Sequence, residues 1–111
     1  MKTHAIIFGI KGLKLSFNEI IFFKKYKPWG IILFSRNIDN IYQVRNLTNS
    51  IRYIFKDTNF PILVDQEGGR INRFKKIINF EKYTAKYFGD ILCEKCEKEY
   101  LQICNKIMFN Y

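Results

Sequence analysis

The sequence predicts an α/β fold of parallel strands joined by helical crossovers, and three observations carry that expectation. Ala5 to Gly9, Ile31 to Phe34 and Ile62 to Val64 are short apolar runs with no polar face to turn to water, so strands made of them need cover on both sides. The stretches between these runs carry helix-start signals followed by apolar residues at helical spacing. Polar clusters, Ser35-Arg36-Asn37 and Asp65-Gln66-Glu67-Gly68-Gly69-Arg70, follow directly on the second and third runs, where parallel strands of α/β folds present their functional groups. The order βαβαβ implies right-handed crossovers.

Size and composition set the frame. At 111 residues the chain is one domain at most, and 48% hydrophobic with 17% aromatic content excludes a disordered chain. No apolar run approaches the ~20 residues of a membrane span, so no membrane partner is expected. His4 to Ile10 is too short for a secretory signal and has no small-residue cleavage site behind it, which places the protein in the cytoplasm. A net charge of +9 raises nucleic acid as a partner. The lysines are scattered, however, and the two clusters, Lys24-Lys25 with Lys27 and Lys75-Lys76, lack interleaved aromatic platforms. A small basic interaction or nucleic-acid-binding protein is therefore kept only as the alternative reading.

The elements follow in order. Ala5 to Gly9 is the first strand, and the single histidine, His4, reads as an ordinary strand-edge residue. Ser16 and Glu19 form a capping box for a helix running to about Tyr26, which Pro28 ends. Trp29-Gly30 leads into the second strand, with Trp29 expected to cap the core. Asn40 with Gln43 signals a second capped helix, with Ile41, Val44, Leu47, Ile51, Ile54 and Phe55 on the covering face and Arg45, Asn49 and Arg52 turned away. Pro61 opens the third strand. Beyond Arg73 the pattern weakens: Phe74 to Lys82 reads as a loop, Tyr83 to Phe88 as a short helix ending at Gly89, and Leu92 to Met108 as one amphipathic helix. Its apolar face is Cys93, Cys96, Tyr100, Ile103, Cys104 and Ile107. Cys93-x-x-Cys96 has zinc-site spacing, but Cys104 continues the same stripe and no histidine follows, so these read as core thiols and no metal or cofactor is expected.

The chemistry concentrates at Asp65 to Arg73. An ionised carboxylate accepts from two hydroxyls and an arginine donates in a fixed fork, a combination suited to a sugar. Gly68-Gly69 lets the backbone turn and approach a ligand. Read from residue types alone, the same letters also describe a solvated loop whose charges merely pair, at about 1 kcal/mol or less.

Three motifs in register, Gly12-Leu13-Lys14-Leu15-Ser16 with Glu19, Gly30-Ile31-Ile32-Leu33-Phe34 with Arg36-Asn37, and Phe60 to Arg73, closely resemble the opening of family 3 glycoside hydrolases of the bacterial NagZ type, the β-N-acetylhexosaminidases. The resemblance implies that the fold is the first three βα units of a TIM (β/α)8 barrel, incomplete because a full barrel needs ~250 residues. Residues 1–111 would then be part of the family's N-terminal domain. By the same resemblance Asp65 and Arg73 bind the substrate sugar, with Glu67, Gly68, Gly69 and Arg70 as the supporting loop. The family's nucleophile, an aspartate, and its acid/base, a histidine in a KH-x-GHG segment, have no counterpart in these residues, so no catalytic residue is expected in this chain. The implied partners are an N-acetylglucosamine-containing muropeptide or saccharide and a complementing C-terminal fragment, and the implied role is hydrolysis of terminal N-acetylglucosamine from peptidoglycan fragments in cell-wall recycling.

Overall fold

The computed structural model describes residues 3–94 and 97–109. Its centre is a three-stranded parallel sheet in the order β1 (His4–Gly9), β2 (Pro28–Leu33), β3 (Ile62–Val64). Helices α1 (Phe17–Tyr26) and α2 (Ile41–Phe55) are the crossovers, and α3 (Ala85–Glu94) and α4 (Glu97–Phe109) follow the sheet. The register aligns Phe8 with Ile31 and Ile31 with Ile62, and likewise Gly9 with Ile32 and Ile32 with Leu63.

This register sorts the sheet's side chains into two faces. Phe8, Ile31, Leu33, Ile62 and Val64 meet Phe23, Leu47 and Ile51 of the helices in one core, in which Ile31 and Ile51 are fully buried. Ile7, Ile32 and Leu63 share the other face, and there Ile7 is 44% exposed. The sequence-based expectation of cover on both faces therefore holds for the helix side alone. Ile32 and Leu63 are half-buried, so the second face is open chiefly at its β1 edge, and Ile62, placed by its alternation on the helix side, is not one of its residues.

Local sequence explains the helices. Ser16 caps α1, and its hydroxyl and backbone N–H both donate to Glu19, at 2.7 and 2.8 Å. Lys27 then leaves α1 in the left-handed conformation, and Pro28 begins β2 directly, so the strand starts earlier than the sequence suggests. Asn40 caps α2 through its side chain, but Gln43 Oε1 reaches back to the N–H of Asp39, one residue before the cap.

Several sequence-based assignments need correction. Trp29 is 50% exposed, because it sits at the amino end of β2 where neither helix covers it. Ile41, in the first turn of α2, is 57% exposed, while Arg52 is partly buried. Gly89 does not end a helix: α3 runs through it to Glu94, and a Cβ there would meet nothing. The described residues of the helix expected from Leu92 to Met108 are helical, those to Glu94 in α3 and those from Glu97 in α4. Cys93 is exposed and Cys104 half-buried, so Cys93 is not a core thiol; Cys96 lies outside the described residues.

Candidate functional site

The carboxyl ends of the three strands meet on the open face, and Phe34 is the residue around which they are arranged. Its ring lies so close to Gly9, at the end of β1, that a Cβ there would stand 3.3 Å from the ring edge. Two guanidinium groups lie over the same ring, Arg36 at 4.8 Å and Arg73 at 5.4 Å from its centroid. Cation–π contacts of this kind contribute on the order of 0.5–1 kcal/mol where exposed, so their main effect is to orient the arginines.

Behind the ring, a fully buried amide fixes the loops. Asn37 accepts from the Phe34 N–H at 2.9 Å and donates to the carbonyls of Ile10 and Gly12, at 3.1 and 2.8 Å. Arg36 Nε donates to the same Ile10 carbonyl at 3.1 Å. The turn after β2 is thereby bound to the end of β1 through side chains, since the two segments are no longer paired as strands. Gln43 extends the network by donating to Leu13 and Asn37 carbonyls.

The third strand delivers Asp65 beside Arg73. Their side chains approach to 3.9 Å, and Arg73 Nε donates to the Asp65 carbonyl at 3.3 Å. Asp65 is 51% exposed and Arg73 24%, so the pair is accessible and contributes little to stability, on the order of 1 kcal/mol or less. Gln66 closes the loop by accepting from the Arg73 N–H at 2.8 Å and donating to the buried Asn72 at 3.1 Å. Gly68 and Gly69 both have positive φ, 77° and 57°, and Ile71 N–H donates back to the Gly68 carbonyl. A Cβ on Gly68 would run into the Tyr83 carbonyl, so the turn requires glycine on two counts. Lys76 pairs with Asp39 at 3.0 Å, and the hydrogen bond and charge of Lys76 hold the Asp39 carboxyl below its ordinary range.

Asp65, Arg73 and Arg36 are thus brought together, whereas Glu67 and Arg70 are exposed on the turn with no partner among the described residues. Sequence reasoning missed Phe34, Gln66 and Asn72 as positioning residues. A signal was present for the amides: Gln66 and Asn72 are uncharged groups inside a run of charges, and each can both donate and accept a hydrogen bond. Chemically, the pair offers a carboxylate acceptor and a guanidinium donor beside an aromatic ring. Among the described residues no group of three histidine, cysteine or acidic side chains is placed to hold a metal ion, and no helix is long and apolar enough to cross a membrane.

No family model matches the sequence. A β-hexosaminidase of Alkalilimnicola ehrlichii is 38% identical over 76 residues, 68% of this chain and 22% of that protein. One from Haemophilus influenzae is 37% identical over 71 residues, 64% of this chain and 20% of the relative. Among solved structures, NagZ from Neisseria gonorrhoeae in complex with N-trifluoroacetyl-D-glucosamine superimposes with a TM-score of 0.58 at 36% identity, covering 65% of this chain and 21% of that one. The chain spans about a fifth of the length of the relatives it matches. Over that span it is related, in sequence and in fold, to the β-hexosaminidases of the NagZ type.

Proposed function

We propose that the chain is the opening part of a family 3 glycoside hydrolase, three βα units of a TIM barrel spanning residues 1–111, and that Asp65 and Arg73 hold an N-acetylglucosamine unit. The observation that carries this reading is the accessible Asp65–Arg73 pair beside Phe34 and Arg36, at the carboxyl ends of parallel strands, in a chain related to β-hexosaminidases. Asp65 accepts from adjacent sugar hydroxyls and Arg73 donates to their oxygens, while Gly68 and Gly69 shape the loop that carries both. The substrate is a terminal N-acetylglucosamine of a peptidoglycan fragment, and the setting is cytoplasmic cell-wall recycling.

Positioning alone does not break the bond. A glycosidase needs a nucleophile or base and an acid on either side of the anomeric carbon, and an Asp65 held beside an arginine for hydroxyl binding does not supply both. Turnover therefore depends on a complementing fragment that carries the remaining strands and the catalytic groups, and this fragment would also cover the face of Ile7, Ile32 and Leu63.

The test is a titration of the purified chain with N-acetylglucosamine, followed by NMR of the arginine side chains, next to an assay with a chromogenic β-N-acetylglucosaminide. Binding without turnover is expected, with Asp65→Ala and Arg73→Ala each weakening binding about tenfold or more through loss of charge-assisted hydrogen bonds. Binding that is indifferent to both substitutions refutes the site assignment, and turnover by the chain alone refutes its dependence on a second fragment.

A further inference from the structure

The end of the sheet remote from Asp65 carries a second concentration of charge. A cleft of about 900 Å³ opens there between the carboxyl ends of α1 and α2 and the amino ends of β2 and β3. Lys24, Lys27 and Lys56 line it, together with the half-exposed Trp29, and Asp57 is the one acidic residue in the lining. The Asp57 carboxylate already accepts from the Asn59 N–H at 2.8 Å, and among the described residues no ion pair or hydrogen bond takes the ammonium of any of the three lysines. In the adjoining recess, which shares Lys24, Lys56 and Asp57, the Nε of Arg52 is removed from solvent without a hydrogen-bond partner.

The backbone adds an independent observation. Lys27 and Lys56 are the two non-glycine residues with positive φ among the described residues, 42° and 53°. Both sit just past a helix end, where their N–H groups close the last turn: Lys27 donates to the Phe23 carbonyl, Lys56 to those of Arg52 and Tyr53. Glycine is the usual residue at such positions, since a Cβ crowds the backbone in the left-handed conformation. Two lysines held in this strained conformation, past the ends of separate helices, line one cleft, and strain of this kind clusters at functional sites.

We propose that this cleft binds a nucleoside diphosphate, with Lys24, Lys27 and Lys56 on the phosphate oxygens and the base against the Trp29 indole. The volume suits a ligand of that size, and its elongated form matches a basic recess bordered by an aromatic platform. Attraction of lysines to the negative end of a helix is the competing explanation for the two caps. It demands no ligand, and it is separable by experiment.

Trp29 is the sole tryptophan, so its emission, excited at the red edge of the indole band and corrected for nucleotide absorbance, reports the cleft directly in a monomer or an oligomer. ADP, pyrophosphate and adenosine are titrated into the full chain at ionic strength matched with sodium chloride. A saturable response is expected, tightest for ADP, weaker for pyrophosphate and weakest for adenosine. The double variant Lys27→Gly/Lys56→Gly removes two cations while supplying the residue its backbone prefers. Its thermal midpoint should hold or rise, and its ADP affinity should fall about tenfold, the effect of two lost surface charge contacts. Lys24→Gln, at an exposed helix position, should weaken ADP binding without altering the fold. The proposal is overturned by the absence of a saturable ADP response, or by equal ADP affinity in the unaltered chain and the double variant. It is also overturned if pyrophosphate or adenosine binds as tightly as ADP, because base and phosphates would then not be read together.

Discussion

From His4 to Val64 the chain closes a core: Ile10, Phe23, Ile31, Leu33, Ile38, Leu47, Ile51 and Phe60 are all buried. From Asp65 to Phe109 the one buried residue among the described side chains is polar, Asn72, and Leu92 and Leu101 are 48% and 52% exposed. Both regions contain amphipathic helices. The difference lies in what the apolar stripe meets: α2 lies on a sheet whose strands present a matching apolar face, whereas α3 and α4 are given no such surface. An apolar stripe is thus enough to define a helix and insufficient to bury it. The shape shows the same asymmetry, since the radius of gyration is 17.0 Å where a compact chain of this length would have about 13 Å.

The most severe test of this contrast is a pair of identical truncations. Ile31→Ala removes a fully buried side chain between Phe23 and Ile51 and should destabilise the chain by about 2–5 kcal/mol, enough to unfold a marginal domain. Leu101→Ala, on the half-exposed face of α4, should change stability by about 0.5 kcal/mol or less. Urea unfolding followed by circular dichroism measures both. Equal losses would mean that α4 belongs to the same cooperative unit as the sheet.

A smaller effect separates the two regions by their polar groups. Asn37→Ala leaves the Phe34 N–H and the Gly12 carbonyl without their partner, while Ile10 keeps Arg36, at an expected loss of about 1–3 kcal/mol. Asn79→Ala removes an exposed acceptor from the Glu81 N–H, where water takes over, and should be nearly silent in the same unfolding measurement. Should Asn37→Ala prove silent as well, water reaches the strand ends and the turn after β2 is not held by this amide.

These contrasts also explain what was legible in the sequence. The capping pairs Ser16–Glu19 and Asn40–Gln43 and the apolar runs of β2 and β3 rest on local rules, so α1, α2 and the sheet could be read from the letters. Trp29, Ile41 and Cys93 were misjudged for a shared reason: each is apolar or soft in type, and its burial depends on a partner surface that no local pattern encodes. The site divided along the same line. Asp65, Arg73 and the glycine turn are adjacent in sequence and could be named from it, with motif resemblance assigning their role. Phe34 joins Gly9, Arg36 and Arg73 across three strand ends, a convergence that exists only once the register is known.

The smallest expected effect concerns two glutamates, one in each region. Glu19 accepts from the Lys11 N–H and from the Ser16 N–H and hydroxyl, all at 2.7–2.8 Å, and so joins the end of β1 to the start of α1. Partial burial pushes its pKa up, but the hydrogen bonds from Ser16 and Lys11, with the Lys11 charge, outweigh it and leave the carboxyl below its ordinary 4.5. A carboxylate whose pKa is lower in the folded than in the unfolded chain stabilises fully above the unfolded value and loses that contribution as the pH falls through the folded one. Glu19→Gln keeps one acceptor and turns an amide against an N–H, so it should cost about 1 kcal/mol at neutral pH, as loss of a helix cap does. The gap between variant and parent should narrow as the pH drops below 4.5. Glu81, lowered by its pairing with Lys75, faces water, and Glu81→Gln should leave stability unchanged at any pH because solvent screens that pair. Unfolding curves for both variants across pH 7 to 3 decide the matter: a Glu19→Gln deficit that stays constant through this acidic range would show that the amide, and not the carboxylate charge, carries the junction between β1 and α1.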